Sequence, residues 1–105
     1  VTAFTEPMRA LLGILDRCTQ ELAQALPLLR SFDFPGILAA GRSVRSLEKE
    51  ADGVYRQALG GLFQDPAVDA KQLLRERSVM EHIEEAVNRC ERLAKTLSIF
   101  AVKYG

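Results

Sequence analysis

Apolar side chains recur every three or four residues in three blocks of the chain, at about residues 4–29, 37–62 and 73–101. No block shows the strict alternation of apolar and polar residues that marks a half-buried strand. Residues at this spacing share one face of an α-helix, so the pattern predicts three long amphipathic helices.

Proline and capping signals separate the three blocks. Pro35 suits the first turn of a helix, Pro66 ends the second block, and Asp69-x-x-Gln72 resembles a capping box that opens the third. Pro27 lies inside the first block and predicts a kink or a break near Leu26. The predicted helices cover residues 4–31, 35–64 and 69–103.

The length of 105 residues suits a single domain, residues 1–105, and a composition of 48% hydrophobic and 27% charged residues argues against disorder. Short connections between long helices favour antiparallel neighbours. We therefore expect an all-α fold, an antiparallel three-helix bundle. The chain begins at Val1 rather than Met, which suggests a trimmed chain or a piece of a longer protein.

The charge and the cysteine content limit which partners and which cellular compartment are expected. Fourteen basic residues balance fourteen acidic ones, without a run of like charge, which argues against nucleic acid as a partner. Charged residues interrupt every long apolar stretch, so no membrane span is expected. Cys18 and Cys90 are interpreted as two reduced, mostly buried thiols of a cytoplasmic protein.

Two carboxylates stand where the second helix should bury aliphatic side chains. Glu48 lies on the apolar stripe between Val44 and Ala51, and Asp52 lies one turn further along. A carboxylate in such a place needs a cation, a hydrogen-bond donor or access to water, because its burial without a partner costs several kcal/mol.

Antiparallel pairing predicts that these carboxylates face a second pair of side chains that carry oxygen ligands. With the hairpin midpoint near Ala67, Glu84 of the third helix falls between Glu48 and Asp52 in height, and Asn88 follows one turn later. Oxygen ligands on two facing helices suit iron, manganese, magnesium or calcium better than a thiolate zinc site. The alternative is a solvated flank of the stripe, paired with Arg45, Lys49, Arg56 or Arg89.

Two longer segments carry a resemblance to a known family. Residues 46–59 (SLEKEADGVYRQAL) followed by Leu62-Phe63 resemble the second helix in the carboxy-terminal half of PhoU-like proteins that accompany Pit-type phosphate transporters. Residues 84–94 (EEAVNRCERLA) are similar to the closing helix of that family, and residues 102–105 resemble its carboxy terminus. The resemblance implies one three-helix half of a six-helix, two-repeat fold.

The resemblance also implies a function and a set of site residues. It implies a regulator or accessory protein of inorganic phosphate transport that binds metal, either iron, manganese or zinc, through helix carboxylates. Carried over to this chain, the metal ligands are Glu48, Asp52, Glu84 and Asn88. Asn88 stands where the family favours aspartate, which lowers the expected affinity for a cation. Glu81, Glu85 or Glu91 would compensate only if the helix turns them inward.

The expected partners are a Pit-type phosphate transporter or another phosphate-signalling protein, with the chain cytoplasmic or peripheral to the inner face of the membrane. The chain is not expected to be an enzyme: His82 is a lone, solvated histidine, and no nucleophile motif or glycine-rich phosphate loop is present. The alternative function is a structural helical interaction or dimerisation module without metal. The wide apolar arcs of helices one and two also predict a homo-oligomer, most simply a homodimer, with a monomer as the alternative.

Overall fold

A computed structural model describes residues 4–105 of the protein. It contains α1 (Glu6–Arg30), α2 (Phe34–Gln64) and α3 (Ala70–Tyr104), and no strand within these residues. All three helices pack against one another in a body of 54 × 20 × 15 Å. The short connections reverse the chain direction twice, which confirms the predicted all-α three-helix bundle.

The helices begin where the sequence signals predict. The Asp33 side chain accepts a hydrogen bond from the Gly36 amide and caps α2, whose first turn holds Pro35. Asp69 accepts from the Gln72 amide at 2.8 Å and caps α3. The Gln72 side chain donates forward to Glu76 instead of back to Asp69, so only one half of the capping box forms.

α1 continues through Pro27, so the predicted break does not occur. Pro27 has no amide hydrogen and leaves the carbonyl of Ala23 without its helical donor. Both residues are exposed, and that carbonyl can therefore be hydrated. Because the helix ends only three residues later, at Arg30, few hydrogen bonds depend on the geometry at this point.

The end of α1 is closed by two hydrogen bonds in the manner of a Schellman motif. The Phe32 amide donates to Leu29 O at 3.3 Å, and the Asp33 amide donates to Leu28 O at 2.9 Å. Phe32 has a φ of 58° and is the only non-glycine residue with positive φ among residues 4–105. Helices usually place glycine in this left-handed position, because a side chain there is strained.

The core runs along the axis between the three helices. Its fully buried members include Met8, Leu11, Ile14 and Cys18 of α1, Val44 and Ala51 of α2, and Met80, Val87 and Ala94 of α3. The outer residues of the wide apolar arcs pack partly buried against this core, among them Leu12, Leu15, Leu47, Val54, Tyr55, Ala58 and Leu62. The bundle therefore covers much of the surface from which self-association was predicted, and the homodimer stays a prediction.

Candidate carboxylate site between α2 and α3

The four predicted ligands lie half-buried on the two helices that face each other: Glu48 and Asp52 on α2, and Glu84 and Asn88 on α3. The hydrogen bond from Tyr55 Oη to Glu81 Oε1, at 3.1 Å, fixes the relative height of the two helices. Because the helices run antiparallel, a step of three residues from that pair leads to Asp52 and Glu84. A step of seven leads to Glu48 and Asn88. This register sets Glu84 level with Asp52 and Asn88 level with Glu48, about 3 Å from the predicted height of Glu84 between Glu48 and Asp52.

Glu84 shows that the carboxylates influence one another. Its pKa is raised above the ordinary value, first by partial burial and then by the negative charges of Asp52 and Glu48. The positive charge of Arg56 opposes this rise. Three carboxylates from two helices thus share one region, in which the ionised form of Glu84 is disfavoured.

A cation from the protein itself already occupies part of this region. Arg56 Nη2 forms an ion pair with Asp52 Oδ2 one turn along α2. Within residues 4–105, no three His, Cys, Asp or Glu side chains are arranged to hold a metal ion. The residues supply enough oxygen donors and negative charge, but their side-chain conformations do not form a metal site. A metal ion would compete with Arg56 for the negative charge of Asp52.

Glu91 is the acidic residue of α3 that best extends the site. It lies seven residues after Glu84, and a further seven residues lead to Ser98, whose Oγ adjoins Gly41 of α2. Glu91 thus lies on the α2-facing side of α3. Its Oε2 atom is buried without a hydrogen-bond partner, which is costly for a carboxylate oxygen. Sequence reasoning gave this residue only a secondary role.

Glu81 and Glu85, the other two acidic residues considered for compensation, are exposed and engaged elsewhere. Glu81 accepts hydrogen bonds from Arg77 and Tyr55. Glu85 forms ion pairs with Arg89 and Arg92, and these interactions lower its pKa, that of Arg92 most strongly. Of the two, Glu81 still raises the pKa of Glu84 through its charge, as the last of the causes.

The remaining side chains with reactive groups are one histidine and two cysteines. His82 is exposed, and its Nδ1 lies 2.7 Å from Ser78 O. Burial and the nearby Cys90 raise the pKa of Cys18 to about 11, so this thiol stays protonated at neutral pH. Burial also raises the pKa of Cys90. These properties are those of packed thiols and a solvated histidine.

Comparison with known proteins does not add a family. No protein-family model, curated protein or solved structure matches the chain. The PhoU-like resemblance therefore rests on the segments quoted above. None of the three helices, over residues 4–105, is both long enough and apolar enough to cross a membrane.

Proposed function

We propose that this chain is a PhoU-like regulator or accessory protein of inorganic phosphate transport that acts by binding and not by catalysis. The observation that carries the proposal is the concentration of Glu48, Asp52 and Glu84 across two facing helices, at the positions that the resemblance assigns to ligands. The proposed partner is a Pit-type phosphate transporter or another phosphate-signalling protein, and the proposed compartment is the cytoplasm.

In this proposal the carboxylates form a cation-responsive site. A divalent cation would relieve the repulsion that raises the pKa of Glu84, but it must compete with Arg56 for Asp52. The neutral Asn88 contributes a weaker ligand than aspartate would. The site would therefore respond to the concentration of cation and would not hold one permanently.

Thermal melts with iron, manganese or zinc against chelator test the cation site. A ligand that binds only the native state stabilises it by about 2.7 kcal/mol at a hundredfold excess over its dissociation constant. We expect Glu48→Gln and Glu84→Gln to abolish the metal-induced rise in Tm. Glu85→Gln, which removes a neighbouring carboxylate held by Arg89 and Arg92, should retain it.

The regulatory role is tested by deleting the encoding gene and following phosphate uptake and phosphate-responsive expression. Complementation with the unaltered chain should restore both responses, whereas a Glu48→Gln, Glu84→Gln double variant should not. Complementation with Glu85→Gln serves as the control. Unchanged uptake and expression in the deletion strain would rule out the regulatory role.

A structural interaction module without metal is the second candidate. The ion pair between Arg56 and Asp52 favours it, because it neutralises one of the proposed ligands within the protein itself. For this candidate, no metal shifts the melt, and the Glu84→Gln variant complements as well as the unaltered chain.

A further inference from the structure

The charged residues are segregated along the bundle even though the chain as a whole is neutral. The end formed by residues 22–47 and 92–105, here called the basic end, carries six basic residues and a single acid, Asp33. The rest of the chain carries eight basic and thirteen acidic residues. The formal charges are therefore +5 and −5. Asp33 is occupied as the cap of α2.

The cations of the basic end are available for a partner. Arg30, Arg42, Arg45, Lys95 and Lys103 are all exposed and form no ion pair within residues 4–105. The sixth, Arg92, is also exposed and pairs with Glu85. Arginine and lysine side chains in the rest of the bundle form an ion pair with a carboxylate more often than those of the basic end do. This end thus presents positive charge that the protein does not neutralise.

Exposed apolar side chains collect at the same end. Ten large hydrophobic residues are exposed among residues 4–105, and seven of them belong to the basic end: Leu26, Phe32, Leu93, Ile99, Phe100, Val102 and Tyr104. The groove beside α3 combines both properties. It has a volume of about 380 Å³, with Ile99 and Val102 next to Arg45, Lys95 and Lys103.

Four aromatic rings cluster at the basic end and are here called the aromatic tip: the exposed Phe32, Phe100 and Tyr104, and the half-buried Phe34. Phe32 meets Phe34 edge-on at 6.0 Å between ring centroids, and Phe100 lies 6.4 Å from Phe34 and 4.7 Å from Tyr104. The Lys103 ammonium lies 5.4 Å from the centre of the Tyr104 ring. Aromatic rings with basic side chains beside them match the boundary between lipid headgroups and acyl chains.

Phe32 is the residue that packing and backbone preference explain least. Its side chain is 72% exposed, and its backbone adopts the left-handed conformation in which glycine or asparagine is favoured. A phenylalanine there strains the backbone and gains little burial. Strain kept at an exposed position is typical of a residue that serves binding.

We propose that the aromatic tip and the surrounding cations of the basic end dock on the surface of an anionic lipid bilayer. Charge complementarity indicates the partner, because five of the six exposed cations form no ion pair within residues 4–105 and anionic headgroups supply the negative charge. The aliphatic neighbours Ile99 and Val102 and the tilted rings favour insertion among acyl chains over the flat stacking that nucleic acid bases require. This inference does not depend on the role in phosphate transport.

Vesicle co-sedimentation of the 105-residue chain tests the proposal. We expect binding to phosphatidylcholine vesicles that contain phosphatidylserine, at least tenfold weaker binding to phosphatidylcholine alone, and loss of binding at high salt. Phe32→Asn should lower the affinity, although asparagine accepts the left-handed backbone and preserves the fold. The matched control is Phe63→Asn, which alters a 65% exposed ring at the opposite end and should leave binding unchanged.

Charge reversal provides a second arm of the test. Lys103→Glu should weaken binding at least tenfold. Each basic residue near an anionic surface raises the affinity about fivefold, and charge reversal both removes this attraction and adds repulsion. Lys71→Glu, at the opposite end of the bundle from the basic end, is the control. Equal binding to both vesicle types, or full binding by Phe32→Asn and Lys103→Glu, would overturn the proposal. Tighter binding to a single-stranded oligonucleotide than to the anionic vesicles would overturn it in favour of nucleic acid.

Discussion

Replacing Glu84 by glutamine should stabilise the protein at neutral pH. Partial burial raises the pKa of Glu84, and the charges of Asp52 and Glu48 raise it further. The ionised carboxylate therefore destabilises the native state. A solvent-screened like-charge pair one helical turn apart costs about 0.2–0.5 kcal/mol, and taking the same magnitude for the two pairs between α2 and α3, their removal should gain roughly 0.4–1 kcal/mol. For a domain of this size, that gain raises Tm by about 2–8 °C.

The pH dependence gives this prediction its sharpest test. Because the pKa of Glu84 is higher in the folded state, its proton is bound more tightly there, and stability is lost as pH rises through the folded pKa. The gain from Glu84→Gln should be full at pH 7 and nearly absent near pH 3, well below the unfolded pKa of about 4.3, where the carboxyl is protonated in both the folded and the unfolded state. Thermal melts in chelator across this range measure it.

A neighbouring substitution supplies a control of opposite sign. The ion pairs of Glu85, that with Arg92 above all, lower its pKa. Glu85→Gln should therefore destabilise slightly at pH 7, and this loss should fade as pH falls through the folded pKa and Glu85 becomes protonated. An unchanged or lower Tm for Glu84→Gln at pH 7, or a full gain that persists at pH 3, would refute the reasoning about the carboxylate cluster.

Other predictions concern glycine, cysteine and assembly. Gly53→Ala should raise the free energy of unfolding by about 0.8–1 kcal/mol, because its new Cβ meets no atom within 4 Å. Gly36→Ala should lower it by about 1 kcal/mol, since the Cβ would lie 2.7 Å from Oδ2 of Asp33 and displace the carboxylate whose Oδ1 caps α2; denaturant titrations measure both. Cys18, 0% exposed and with its raised pKa, should react with a thiol reagent only after unfolding, which absorbance follows. Light scattering across a dilution series tests the predicted homodimer, and a mass of one chain at high concentration would contradict it.

The helices and their heights were predictable because each depends on local chemistry. Asp69 and Gln72 mark the start of α3 through a side-chain to amide hydrogen bond that needs no tertiary contact. The spacing of apolar residues then fixes which faces meet. The short connection after α2 and the rise per residue predict the height of Glu84 to within about 3 Å, between Glu48 and Asp52 instead of level with Asp52.

Side-chain partners and backbone strain were not predictable in the same way. Asp52 has both a helix neighbour, Arg56, and facing carboxylates within its region, and the choice between them is a small difference of free energies. Phe32 adopts a conformation that its residue type disfavours, so propensity gives no signal for it. The excess of exposed cations at the basic end is likewise not evident from the total charge, because acidic residues in the rest of the chain balance it.

The separation of charge along the bundle makes the protein a large electric dipole. Its net charge is zero and its isoelectric point is about 6.8, values that ordinarily predict weak retention on ion-exchange media near neutral pH. A dipole directed along a 54 Å axis instead experiences a torque near any charged surface and turns before contact. The chain should therefore adhere by opposite ends to cation and anion exchangers at low salt, and it should lose both attachments once the Debye length is far shorter than the molecule.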